Sequence, residues 1–196
     1  MVAQVPVAGD QVPQLGNAVS RWLGRLVLAM YAWRIEGTVP NRPKFLVAIA
    51  PHTSIWDFVF AFATMLAIGF WGHWLMAKGF FKWPLGPVVK ALGATPVDRS
   101  RSQDMVGQMV DEFNRHEQFV LGIAPEGTRR KVEEWKSGFY HIAHKSKVPI
   151  VPVSLDFGRR LITIGPEFVT TGDYEQDLVK LKSFYQDAVP RHPEKS

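Results

Sequence analysis

Between Phe58 and Ala77 only Thr64 and His73 are clearly polar. A stretch that apolar has to be hidden, either in a bilayer or in a protein core. Gly69 and Gly72 interrupt it and divide it into a helix, Trp56 to Ile68, and a strand, His73 to Ala77. A helix of that length spans about 20 Å, short of the ~30 Å hydrocarbon core of a membrane. The stretch therefore reads as the interior of a folded domain, and the rest of the chain must supply the layers that cover it.

Those layers are legible as an alternation. Phe45 to Ile49 reads as a strand, Pro84 to Leu92 as a short helix closed by Gly93, and Thr95 to Val97 as a brief strand. Ser102 caps a helix running to about His116, with Met105, Val106, Met109, Val110 and Phe113 as its stripe. Phe119 to Ile123 is a strand, Gly138 to Lys145 a helix, and Ile150 to Leu155 and Leu161 to Ile164 two more strands. Asp173 with Gln176 resembles the capping box of a last helix that turns Leu178, Leu181, Phe184 and Ala188 inward. Strands alternating with helices predict an α/β fold, a mostly parallel sheet flanked by helices. The 196 residues fit one domain with a substantial core.

Ahead of that domain, Asn17 to Ile35 is amphipathic: Val19, Leu23, Leu26, Val27 and Met30 recur at helical spacing. Arg21, Arg25 and Arg34 alternate there with Trp22, Tyr31 and Trp33. Two readings stand side by side, a helix lying in a membrane interface and a helix packing its stripe on the core. The first fourteen residues have neither a basic start nor a sustained apolar run. They read as a loose leader of a cytosolic chain rather than a secretory signal, and "PRHPEKS" reads as a flexible tail.

Composition narrows the chemistry. With 23 Lys and Arg against 18 Asp and Glu the formal charge is +5, which favours anionic partners such as phosphorylated substrates or acidic lipids. Seven Trp and thirteen Phe suit a membrane-surface enzyme and a large core equally. Nucleic acid is disfavoured, because the positive charges form no dense run with interleaved aromatics. The absence of Cys excludes a cysteine nucleophile, a disulfide and a thiolate zinc site.

Two stretches carry groups capable of chemistry, and both follow predicted strands, where α/β sheets bind ligands. In "APHTSIWD", His52 and Asp57 are five residues apart, too far to share a face of one helix. With His52 in a turn and Asp57 in the first helical turn, the carboxylate can meet the imidazole, fix its tautomer and raise its basicity. An aspartate there also complements the helix dipole, which is a purely structural role. In "APEGTRR", Glu126, Gly127, Thr128, Arg129 and Arg130 bring together a carboxylate, a flexible glycine, a hydroxyl and two guanidiniums. The glycine permits close backbone approach and Arg129 can grip a phosphate bidentately. No G-x-S-x-G elbow is present. His73 reads as a core group. His141 and His144 share a helical face but lack a third ligand, so no metal site is expected.

These stretches, with "PVDRSR" and "VPIVPV", resemble in order and spacing the motifs of the glycerolipid acyltransferases, the family typified by 1-acylglycerol-3-phosphate (lysophosphatidate) acyltransferase. The resemblance runs from about Gly37 to Leu155. It implies that His52 is the general base and Asp57 its orienting partner. It implies too that Lys78 in "MAKGFF" and Arg99 in "VDR" approach the acceptor's phosphate, and that Glu126, Gly127, Thr128 and Arg129 shape the acceptor site. Val148 to Val153 match a motif on the acyl-donor side. Many members have Asn before the histidine, an aromatic before "PEGTR" and Ser after it, where this chain has Pro51, Ala124 and Arg130.

The expected organisation is a leader over 1–14, an amphipathic interfacial helix over 15–36, an acyltransferase domain over 37–189 and a tail over 190–196. The expected activity transfers a fatty acyl group from acyl-CoA or acyl carrier protein to the free hydroxyl of a lysophospholipid. That thioester is a co-substrate, and no resident cofactor or metal is expected. An anionic membrane surface is the expected partner and its cytoplasmic face, held peripherally, the expected location. The alternatives are an acyltransferase acting on an amine-bearing or glycosylated lipid, and a lipid-binding protein without turnover.

Overall fold

The computed structural model describes residues 5–81, 85–97 and 102–195. Strands β1 (Arg34–Gly37), β2 (Lys44–Ala50), β3 (His73–Ala77), β4 (Ala94–Val97), β5 (Phe119–Ile123), β6 (Ile150–Asp156) and β7 (Leu161–Ile164) form one sheet. Helices α1 (Ala18–Met30), α2 (Ile55–Ile68), α3 (Leu85–Ala91), α4 (Ser102–Arg115), α5 (Gly138–Ser146) and α6 (Tyr174–Ser183) surround it. The strand order is β1-β7-β6-β2-β5-β3-β4. From β6 to β4 every pairing is parallel, whereas β7 returns antiparallel to β6 and β1 runs parallel to β7. The expected mostly parallel α/β sandwich is the observed one.

The sequence of β2 shows why it lies at the centre. Side chains alternate across a strand, and here both faces are apolar. Phe45 and Val47 join Phe60, Ala63 and Ile68 of α2 and Leu28 of α1 in one core. Leu46 and Ala48 join Met109 and Phe113 of α4, Phe139 and Ile142 of α5 and Leu181 of α6 in the other. A strand buried on both sides must be covered by helices on both sides, which is the logic of parallel sheets.

Gly69 divides the long apolar stretch as its sequence suggested. It adopts φ 90° at the end of α2, its N–H bonded to Met65 O, a left-handed conformation that glycine takes at little cost. At the other end Ser54 caps the helix by accepting from Trp56 N at 3.2 Å.

The amphipathic helix differs from its sequence reading in extent and in facing. It ends at Met30 rather than near Ile35, and Ala32 turns the chain at φ 56°. Trp33 and Ile35, which continued the helical pattern, are instead the inward residues flanking and within β1. Their spacing of two puts both on one face of a strand, and β1 owes its existence to β7, more than a hundred residues away in the chain.

What α1 buries is the side that carries Gly24 and Leu28. Gly24 lies against α2 so closely that a Cβ would sit 2.5 Å from Ala63 O and from Ala67 N. The stripe of Val19, Trp22, Leu23, Leu26 and Met30 points outward, with Trp22 59% and Met30 71% exposed. Of the stripe read from sequence, Val27 does pack against the core, while Val19, Leu23, Leu26 and Met30 stay exposed.

The residues ahead of α1 are not loose where they are described. Val12 is fully buried, Leu15 N donates to Gly69 O at 3.1 Å, and Trp71 N donates to Pro13 O at 2.7 Å.

Candidate active site

Parallel strands end together, so the sheet order decides which loops meet. β2 pairs with β5, with Ala48 opposite Ile123. His52 and Glu126 each lie a few residues beyond that pair, on loops leaving the same edge of the sheet. Strand β3 is the next neighbour of β5, and β4 the next of β3. Lys78 opens the short 3-10 turn that follows β3, so its backbone leaves from this edge too. Arg99 lies outside the described residues.

The first motif closes on itself. His52 Nδ1 is 3.2 Å from Asp57 Oδ2. The same carboxylate oxygen accepts from Thr53 N and from Ser54 N, both at 2.7 Å. Asp57 is the third residue of α2 and forms the capping box with Ser54. The helix-end contacts and the imidazole contact therefore fall on one atom, and the two readings of the sequence are geometrically compatible rather than competing.

An ionised carboxylate can only accept. Imidazole Nδ1 must then carry the hydrogen in this contact, and Nε2 is left with a lone pair able to take a proton. The His52 side chain is 25% exposed and Asp57 1%: a reachable base held by a buried acid. Asp57 Oδ1 is buried without a hydrogen-bond partner among the described residues.

Glu126 joins the two motifs. Both its oxygens accept from His52 N, at 3.1 and 2.9 Å. Burial pushes its carboxyl above the ordinary glutamate value of 4.5, and the hydrogen bond from the His52 N–H pulls partly back. The direct contact of Glu126 is thus the loop that carries the imidazole.

A group whose folded value is raised supports folding fully below its ordinary value and loses that support as pH rises through the folded one. Glu126→Gln keeps an acceptor for the His52 N–H without the buried charge. Thermal melts should therefore coincide for the variant and the parent near pH 4. At pH 8 the variant should be the more stable, and equal melting temperatures there would contradict the assignment.

Gly127 adopts φ 65°, and a Cβ there would lie within 2.9–3.1 Å of Lys136 Cδ, Cε and Nζ. The left-handed conformation is what favours glycine here; the Lys136 side-chain end could swing aside from a Cβ. Thr128 Oγ1 accepts from Arg130 N at 3.3 Å, and Arg129 is exposed. Lys136 also donates its backbone N–H to Pro125 O at 2.9 Å. This second cation beside the glutamate loop had no signal in the linear sequence, because nothing in "EEWKSG" marks it. The loop closure that brings it back is a tertiary event.

A three-layer α/β sandwich that gathers an acid-oriented imidazole and a second polar loop at the carboxyl edge of its parallel strands has the architecture of an enzyme. A family model described as Acyltransferase matches residues 34–156, from the start of β1 to the end of β6. The chain belongs to the acyltransferase family. Among solved structures it is similar to the crystal structure of the 1-acyl-sn-glycerophosphate (LPA) acyltransferase, PlsC, from Thermotoga maritima. The two share 18% identity with a TM-score of 0.60, over 86% of this chain and 76% of that one. A search of curated proteins found no significant match.

Proposed function

We propose that this acyltransferase moves a fatty acyl group from an acyl-CoA or acyl carrier protein thioester to the free hydroxyl of a lysophospholipid, in the simplest case 1-acylglycerol-3-phosphate. The observation that carries the reading is the contact of His52 Nδ1 with Asp57 Oδ2 at 3.2 Å, on a loop whose backbone Glu126 of "PEGTR" holds in place.

In this reading His52 Nε2 takes the hydroxyl proton as the acceptor oxygen attacks the thioester carbonyl. Asp57 stabilises the imidazolium that forms. Collapse of the tetrahedral intermediate breaks the C–S bond, and the departing thiolate takes the proton from His52. The chain supplies no cysteine, and direct transfer in a ternary complex needs no acyl-enzyme. Lys78, Arg99 and Arg129 would hold the acceptor's phosphate, a positioning effect; Gly127 and Thr128 shape the loop beside them. The reaction calls on no resident cofactor.

The acceptor's lipid nature agrees with the outer face of α1. No helix among the described residues is long and apolar enough to cross a membrane. The exposed stripe of Val19, Trp22, Leu23, Leu26 and Met30, with Arg25 also exposed beside it, has instead the make-up of a helix lying in a lipid interface. The ring of Tyr31 just beyond α1 lies tilted against that of Trp56 in the first turn of α2, 5.3 Å between centroids, so the proposed lipid-facing surface leads to the loop carrying His52. The cytoplasmic leaflet, rich in anionic lipid, is the surface a chain of this charge would meet.

Two measurements test this. Mass spectrometry of products from acyl-CoA and a mixed lysolipid panel should show acylated lysophosphatidate, and its absence with every lysophospholipid would reject the reading. Replacing both Trp22 and Leu26 with Ser should cut co-sedimentation with anionic vesicles by about tenfold or more, since each loses its buried apolar area. Binding equal to the parent would remove α1 from the lipid interface.

A further inference from the structure

The chain beyond α6 passes close to the motif that carries His52, and it does so outside the span matched by the family model, which ends at residue 156. Tyr185, buried in the interior, donates its hydroxyl to Ala48 O on β2 at 2.7 Å. Asp187 O accepts from Arg159 Nη2 at 3.3 Å, and Val189 O accepts from Phe157 N at 2.8 Å. Arg191 lays its guanidinium over two rings, 5.1 Å from Trp56 and 5.7 Å from Phe157. Finally His192 N donates to Thr53 Oγ1 at 3.3 Å. The closing residues, read from sequence as a flexible tail, thus make specific contacts as far as His192.

Two of those contacts fall on the loop that matters. Thr53 is the residue after His52, is 2% exposed, and gives its own N–H to Asp57 Oδ2. Trp56 is the residue before Asp57. The strap therefore touches the chain next to each member of the imidazole–carboxylate pair, on residues that do no chemistry themselves. A bidentate carboxylate holds the His52 backbone from one side, while the strap holds Thr53 and Trp56.

We propose that the segment Tyr185–His192 is a positioning strap for the active site. Its grip is the bond from the His192 N–H to Thr53 Oγ1 together with the Arg191 guanidinium on Trp56. The strap acts through the loop and touches neither substrate nor reacting atoms. Its contribution should appear in turnover and in the state of the imidazole rather than in binding. The kinetic part of this inference rests on the acyl-transfer reading above; the part about the imidazole does not.

The test uses two variants. One ends at Pro190 and so lacks Arg191 and everything after it. The other is the full chain with Thr53→Val, which keeps volume and removes the acceptor oxygen. Each should lower kcat with acyl-CoA and lysophosphatidate by about tenfold, the scale of one lost hydrogen bond, with both KM values within about twofold of the parent.

The second readout is independent of activity. Nitrogen-15 spectra, with the His52 signals assigned by their loss in His52→Ala, should show well-separated Nδ1 and Nε2 resonances in the parent. A ring held on Asp57 has one tautomer. In both variants the two resonances should move together as tautomers mix. Spectra that superimpose on the parent's in both variants would overturn the proposal, as would unchanged kcat. A parent that transfers no acyl group would defeat the acyl-transfer reading, and the spectra alone would then decide for or against the strap. Thr53→Val keeps the test intact should the shortened chain fail to fold.

Discussion

His52→Ala should lower the rate of thioester-dependent acyl transfer by about 10²- to 10⁴-fold, the range expected for loss of a positioned general base. The fold should survive, and the structure says why. The side chain is a quarter exposed, and what anchors the loop is the His52 backbone N–H on the Glu126 carboxylate, which alanine retains. Thiol release from acyl-CoA measures the first effect and a thermal melt followed by circular dichroism the second. A variant with full activity would remove the imidazole from the mechanism. A variant that melts far below the parent would mean that the ring is a structural group.

Asp57 offers the larger combined effect, because one oxygen serves both the helix and the imidazole. Asp57→Ala strips the acceptor from the buried Thr53 and Ser54 N–H groups and removes the capping partner of Ser54. The stability cost should be about 2–4 kcal/mol, together with at least about a 100-fold loss of activity as the ring loses its orientation. Asp57→Asn separates the two roles. Its amide oxygen can still accept from the two N–H groups, so the destabilisation should be smaller. The charge that supports the imidazolium is gone, and activity should fall as far as in the alanine variant. Wild-type turnover in Asp57→Asn would reduce the residue to a helix cap.

The parts legible in the sequence are those where one local rule governs. The apolar run of β2, the glycine stop at Gly69 and the cap of α6 were readable because each depends on residues within a turn or two of itself. Asp173 does accept from Gln176 N at 3.1 Å, as its spacing suggested. The pairing of His52 with Asp57 was readable for the same reason.

What escaped depends on distant chain. β1 forms because β7 is there to receive it, so the five residues from Tyr31 to Ile35 looked like a continuation of the helix. Lys136 reaches Gly127 only through the fold. The outward face of α1 was undecidable from periodicity, which gives a stripe but not its direction. Gly24 decided it, since its missing side chain is what lets the opposite face sink against α2. In the closing residues, polar composition concealed the stacking of Arg191 and the bond to Thr53.

Gly24 has a mechanical consequence. At Gly24 the backbone of α1 lies directly against the backbone of α2, with no side chain between them, and α2 begins a few residues after His52. On the proposed lipid-facing reading of α1, the height of the imidazole above the lipid plane is then set by how closely the two helices seat on each other, as on a mounting without a spacer. A side chain added at residue 24 would wedge the pair apart and tilt that height, leaving the base intact but out of reach of its target.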